Sequence, residues 1–268
     1  MNPPSFSALG SGPTVLMLHG IGGGHLAFAP QMETLASAGY RAVAWDAPGY
    51  GRSAPLEPYT FKGLADACAA LIAQLRCSEA PTLVGHSMGG MVAQELAARR
   101  PDLVGRLVLC GTSASFGRKP NGQVAQAWCD EFVSQRMQPL DAGQTMGQIA
   151  ARLVPQMIGP AALPEGVRLA EQCMAQVPPA TYRRAVQALV TFDRQAALSA
   201  IAVPTLLIAG EFDRNASVAS MNRMRDAILG ARLIEMKGVG HLMNLEAPDD
   251  FDAHVLDFLA EPQVPTHH

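Results

Sequence analysis

The 268-residue chain has little charge and no excess of either sign: charged side chains make up 16 %, and the formal net charge is −3. It therefore lacks the basic footprint of a nucleic-acid binder or of a protein that sits on an anionic membrane, and neither is expected as a partner. Long apolar runs are also missing. The clearest ones, at 15–18 and 206–209, are far too short to span a bilayer. Residues 1–12 contain no basic segment followed by an apolar stretch, so no secretory leader is expected there. The five cysteines, Cys68, Cys77, Cys110, Cys129 and Cys173, are odd in number and form no C-x-x-C pair. This argues against a disulfide framework or a zinc site and for a reducing, cytoplasmic setting. Repeats and low-complexity segments are absent as well. Hydrophobic residues make up 49 %, enough to offset the chain entropy of a large domain.

What the sequence does contain is a rhythm. Short, almost continuous apolar runs at 14–19, 41–46, 82–84, 106–110, 205–209 and 231–235 read as strands buried on both faces, as in a parallel sheet. Between them lie helical patterns at 30–38, 61–75, 88–100, 218–229 and 248–259. Gly39 and Gly230 are placed to end two of these helices and Pro248 to open another. The expected class is α/β, a mostly parallel central sheet flanked by helices. From Ser113 to Ala200 the rhythm breaks. Trp128, Phe132, Met137, Met146, Met157, Met174 and Phe192 recur in helix-like patterns, and no strand signal appears. This segment reads as a helical cap, 113–200, inserted into a core made of 1–112 and 201–268. Residues 262–268 read as a frayed tail.

The strongest chemical signal is Gly85-His86-Ser87-Met88-Gly89-Gly90. It follows a predicted strand and precedes a predicted helix, the context that a G-x-S-x-G nucleophile turn requires. A serine needs a base, and the base needs a third group to orient it. Asp213, in Glu211-Phe212-Asp213, follows the strand at 205–209. His241, in Gly238-Val239-Gly240-His241, follows the strand at 231–235. Three strand ends thus bring Ser87, Asp213 and His241 to one sheet edge, with Glu211 as the second choice of acid. An oxyanion hole would use the N–H of Met88 and one from the loop His19-Gly20-Ile21-Gly22-Gly23-Gly24-His25, with Ile21 preferred over Gly22. His19, His25, His86 and His254 read as structural. A competing pattern, Gly22-x-Gly24-x-x-Ala27 followed by Asp46, loosely fits a dinucleotide site but leaves Asp213 and His241 unexplained.

With these residues the chain resembles the α/β-hydrolase superfamily, in particular bacterial esterases, enol-lactone hydrolases, cofactor-free haloperoxidases and meta-cleavage-product hydrolases. The landmarks are His19-Gly20, the stretch Asp46-Ala47-Pro48-Gly49-Tyr50-Gly51-Arg52-Ser53, the Gly85–Gly90 turn, Gly210–Asp213 and Gly240-His241. The resemblance implies an eight-stranded sheet with a helical cap after strand six. Here only about a dozen residues precede the first strong strand, so six parallel strands plus a short leading one are expected. A serine in the turn sets the chain apart from the dehalogenases and epoxide hydrolases of this fold, which use aspartate. The implied activity is hydrolysis of a small or medium, mainly apolar carboxylic ester or lactone through an acyl-enzyme on Ser87, without cofactor or metal, by a monomer or homodimer. C–C bond hydrolysis, perhydrolysis and acyl transfer use the same triad, and a non-catalytic binding module is the remote alternative. Trp128, Phe132, Met146 and Met243 are candidates to line the pocket. An apolar pocket suits uncharged acyl esters, and no cluster of cap arginines or lysines stands out as a clamp for a carboxylate, which disfavours a diacid lactone, although Arg214, beside the acid, could supply one.

Overall fold

The apolar runs assemble edge to edge. The computed structural model describes residues 3–118 and 123–262. In it β1 (Phe6–Leu9), β2 (Thr14–Leu18), β3 (Arg41–Trp45), β4 (Thr82–His86), β5 (Arg106–Cys110), β6 (Thr205–Gly210) and β7 (Arg232–Met236) form one sheet in the order β1-β3-β2-β4-β5-β6-β7. The strands from β2 onward pair in parallel. β1 is the short leading strand, antiparallel to β3 with Phe6 opposite Trp45. The described sheet thus has seven strands rather than the eight of the family pattern. Of the tail expected at 262–268, residues 263–268 lie outside the described residues.

Strand side chains alternate between the two faces. On one face Val15, Met17, Ala44, Val84, Val108 and Ile208 pack with Leu35 of α1 (Ala29–Ser37) and with Phe251, Val255 and Phe258 near the C-terminus. The other face presents Leu16, Leu18, Val43, Trp45, Leu83, Leu107 and Leu207. Against it pack α2 (Phe61–Leu75) and α3 (Met88–Arg99). Local chemistry sets the ends: Thr60 Oγ1 accepts the Gly63 N–H at 3.1 Å to start α2, an N-cap. Gly39, at φ +88°, ends α1 in a conformation that favours glycine.

Between β5 and β6 the chain forms α4 (Gln126–Asp141), α5 (Met146–Leu153), α6 (Pro164–Ala175) and α7 (Pro179–Leu189). None of the seven sheet strands lies in this segment. Its entry and exit run side by side: Phe116 N–H donates to the Phe192 carbonyl at 2.9 Å and Arg194 N–H to Ala114 at 2.7 Å. After β6 come α8 (Val218–Ala227), and after β7 the one-turn α9 (Met243–Glu246) and α10 (Pro248–Ala260). Among the described residues no helix is long and apolar enough to cross a membrane.

Candidate active site

Ser87 sits between the last residue of β4 and the first of α3, at φ 53° and ψ −117°. A non-glycine residue rarely adopts a positive φ, and here the surroundings enforce it. Ser87 N–H donates to the Cys110 carbonyl at 2.9 Å, and the Ser87 carbonyl accepts from Thr112 Oγ1 at 2.7 Å. The flanking glycines allow the close approach that this needs. A Cβ on Gly90 would stand 2.7 Å from Thr112, and one on Gly89 would collide with the Leu18 carbonyl.

The ends of β6 and β7 deliver the other two residues. Asp213 Oδ2 lies 2.8 Å from His241 Nδ1, and His241 Nε2 lies 3.1 Å from Ser87 Oγ. Asp213 Oδ1 is held by the N–H groups of Asn215 (2.7 Å) and Ala216 (2.9 Å). A carboxylate can only accept here, so His241 carries its proton on Nδ1 and turns an acceptor nitrogen to the serine. Burial by itself depresses the His241 pKa, but the adjacent Asp213 charge outweighs it and the net shift is upward. Burial likewise works to raise Asp213, and His241 with the two backbone donors brings it below the usual carboxylate value. Glu211, the second choice of acid, faces elsewhere: it accepts the Gly238 N–H at 3.0 Å and lies 3.5 Å from Lys237 Nζ.

The loop after β2 closes over the serine. A Cβ on Gly20 would lie 3.1 Å from Ser87 Cβ, and Ile21 and Gly22 share a cavity wall with Ser87. Met88 opens α3, where the first N–H groups of a helix have no partner within it. The surrounding histidines have fixed, neutral roles. His19 Nε2 accepts from Ala47 N–H at 3.0 Å, and its Nδ1–H donates to the Gly20 carbonyl at 2.8 Å. His86 donates to the His241 carbonyl at 2.7 Å. Burial lowers their pKa values to about 4 and about 3.

The acid that the dinucleotide pattern requires is already engaged. Asp46 Oδ1 accepts from the His25 N–H at 2.9 Å and faces His25 Nδ1 at 3.0 Å, and Oδ2 accepts from Ser5 Oγ at 3.0 Å. That carboxylate is tied beneath the glycine loop, which leaves it no ribose to bind. Among the described residues no group of three or more His, Cys, Asp or Glu could hold a metal.

Ser87 and His241 open into a cavity of about 580 Å³. Of the four candidate pocket residues, Phe132 lies on its wall. The other three do not. Met243 is fully buried, its methyl packed near Gly111 where Asp213 and His241 also meet, and Met146 is buried among the inserted helices. Trp128 is 50 % exposed and stacks on Phe132 from outside, centroids 5.4 Å apart. A methionine or aromatic at helical spacing does not reveal which way it faces once helices pack.

Three residues with evident roles escaped the sequence reading. Glu246 is buried, and its carboxylate accepts the N–H groups of Gly159 (2.7 Å), Gly240 (2.7 Å) and Leu242 (2.8 Å). It therefore clamps both sides of His241 and joins them to the inserted segment. Tyr50 Oη donates to the Ile21 carbonyl at 2.9 Å and steadies the glycine loop. Arg136 lines the cavity. An acid in an apolar stretch, five residues after His241, is the available sign for Glu246; Tyr50 has only its place in the 46–53 landmark, and Arg136 has none.

Residues 15–254 match the model of the family described as Alpha/beta hydrolase family. The chain belongs to the alpha/beta hydrolase family. Within it, a Variovorax paradoxus (strain S110) protein named "Putative carbamate hydrolase RutD" is 31 % identical over 262 residues, 95 % of this chain and 94 % of that one. The pimeloyl-[acyl-carrier protein] methyl ester esterase of Chromobacterium violaceum is 32 % identical over 249 residues, 91 % of this alpha/beta hydrolase and 92 % of the esterase. The solved enol-lactonase of Burkholderia xenovorans LB400 superposes with a TM-score of 0.82 at 26 % identity, covering 96 % of each chain.

Proposed function

We propose that this alpha/beta hydrolase cleaves small or medium carboxylic esters, lactones included, through an acyl-enzyme on Ser87. The observation that carries the reading is the unbroken line from Asp213 Oδ2 through His241 to Ser87 Oγ, at 2.8 and 3.1 Å, opening into the cavity. His241 Nε2 takes the hydroxyl proton as Ser87 Oγ bonds to the ester carbonyl carbon, and the carbonyl electron pair moves to oxygen. The N–H groups of Ile21 and Met88 hold that oxyanion. The intermediate collapses, the C–O bond to the alcohol breaks, and the imidazolium protonates the leaving oxygen. Water then repeats the sequence against the acyl-enzyme, releasing the acid and returning the proton to Ser87. Asp213 fixes the tautomer and stabilises the imidazolium. No step calls for a cofactor. The names of an esterase and an enol-lactonase among the relatives support an ester-type bond.

The test is labelling with a fluorophosphonate followed by peptide mapping, alongside turnover of p-nitrophenyl esters. Expected are a single adduct on Ser87, a nitrophenol burst, and loss of about 10⁴- to 10⁶-fold in kcat in Ser87→Ala. Ester hydrolysis that survives Ser87→Ala within tenfold would sink the reading.

A further inference from the structure

The charged side chains on the cavity wall are of one sign. Among the described residues the cavity is lined by Arg136 and Arg214 and by no Asp or Glu, although the whole chain is net negative. Arg214 sits in an exposed loop. Arg136 is partly buried on α4. Its guanidinium carbon lies 3.5 Å from the centre of the Phe132 ring, and Nη1 donates to the Phe132 carbonyl one helical turn back at 3.3 Å. Three other arginines of the inserted segment have acidic partners: Arg183 with Asp141 at 2.6 Å, Arg184 with Glu57 at 2.5 Å, Arg118 with Asp193 at 2.6 Å. Arg136 pairs with no carboxylate among the described residues. Tyr182 lines the same wall; burial raises its pKa, and the charges of Arg136 and Arg152 work against that rise. Its hydroxyl has no hydrogen-bond partner among the described residues.

A guanidinium withdrawn from water without an anion is costly. Burial pushes the Arg136 pKa down. Stacking on Phe132 recovers part of that cost, but most of the five N–H donors are left unused. Their planar fork matches a carboxylate in two parallel bonds. We propose that Arg136, with Tyr182 on the same cavity wall, binds a carboxylate of the substrate, so that the ester cleaved at Ser87 is an anionic one, such as a hemi-ester or lactone of a dicarboxylic acid. This rests on the acyl-enzyme reading above. It replaces the expectation of a mainly apolar, uncharged substrate. The apolar wall of Leu153, Met174 and Leu245 suits the methylenes that would link the two carbonyl carbons.

The experiment compares mono-p-nitrophenyl esters of C4 to C8 dicarboxylic acids with uncharged p-nitrophenyl esters of equal chain length. Acetyl esters of ω-hydroxy acids place the carboxylate on the alcohol side instead, and a preference on either side supports the site. Expected is a higher kcat/KM for the anionic ester. Arg136→Gln should lower the anionic-to-neutral ratio by about ten- to a hundredfold, mainly through KM, the size of a lost charged hydrogen bond. Arg136→Lys should recover part of it, and Tyr182→Phe provides a second variant with intact charge and a smaller loss. Calorimetric titration of free adipate against its neutral diamide, adipamide, reads the same site without turnover. Adipate should bind more tightly, and Arg136→Gln should remove the difference. A ratio that Arg136→Gln leaves unchanged overturns the anion site while fluorophosphonate labelling of Ser87 keeps the esterase reading intact. If no ester turns over and no label forms, the esterase reading falls. Adipate binding then decides the site alone: equal titration of adipate and adipamide overturns it, and Arg136-dependent adipate binding sustains it.

Discussion

Asp213 and Glu211 are two residues apart, yet only one of them meets His241. In a βα loop, adjacent positions point in different directions, and Glu211 spends its oxygens on the Gly238 N–H and Lys237. It therefore has no route to replace Asp213. Asp213→Asn should lower kcat by about 10⁴-fold, the cost of a wrongly held tautomer, while Glu211→Gln stays within a few-fold. The pH profile gives a second check. The base must be neutral to work, and the Asp213 charge lifts the His241 pKa above 6.5. The acid limb of kcat/KM should thus have its midpoint above 6.5, with activity rising as pH rises through it. In Asp213→Asn the burial that opposes this lift remains, so the limb should move to lower pH. A limb that stays in place in the variant would show that the carboxylate is not what sets it.

At the scale of elements, the site is assembled by loops at strand ends, and those ends were readable because each carries a local pattern. The run at 82–84, the glycines around Ser87 and the helical pattern after them all lie within a few residues of one another, so short-range sterics suffices to read the turn. α2 spans the residues its apolar spacing predicts, 61–75. β1 was visible only as a short leading strand, since four half-exposed edge residues have no apolar run to announce them. The cavity wall was the least legible part, because it depends on how α4 to α7 rotate against the core. Phe132 reaches the cavity while Trp128, one helical turn earlier on the same face, lies past its edge and is half exposed, and Met146 and Met243 turn into packed core. Glu246 is likewise a product of three-dimensional meeting, a carboxylate on α9 that accepts from the nearby 240–242 turn and from Gly159, distant in sequence. Glu246→Gln would set an amide N–H₂ against at least one of those N–H donors. It should cost about 1–3 kcal/mol of stability, read as a lower urea midpoint at unchanged slope. Because the Glu246 charge also helps to raise the His241 pKa, the acid limb should shift down as well, which a purely structural loss would not produce.

For the whole molecule, the question is whether the inserted helices form a separate unit or fold with the core. The backbone argues for one unit. His241 N–H donates to the Met157 carbonyl at 2.6 Å, Ala161 N–H to Gly238 at 2.8 Å and Leu163 N–H to Glu246 at 3.0 Å. The chains are so close that a Cβ on Gly240 would lie 2.8 Å from the Ile158 carbonyl carbon, and one on Gly159 2.7 Å from Val239 Cα. The chain has two tryptophans, Trp45 on β3 and Trp128 on α4. Urea unfolding of the single-tryptophan variants Trp45→Phe and Trp128→Phe, each compared with circular dichroism of the same variant, should give coincident transitions. A Trp128 signal that melts before the helical signal would mean two units. The backbone seam between residues 157–163 and 238–246 also limits how this architecture can be rebuilt. Swapping the helices that shape the pocket, as a chimera joined only at the neighbouring entry and exit residues would do, strips the His241 N–H of its backbone acceptor and Glu246 of one of its donors. The wall of the pocket and the backbone around His241 are thus built together, and a transplanted insertion would have to bring a matching stretch of glycine-bearing main chain with it.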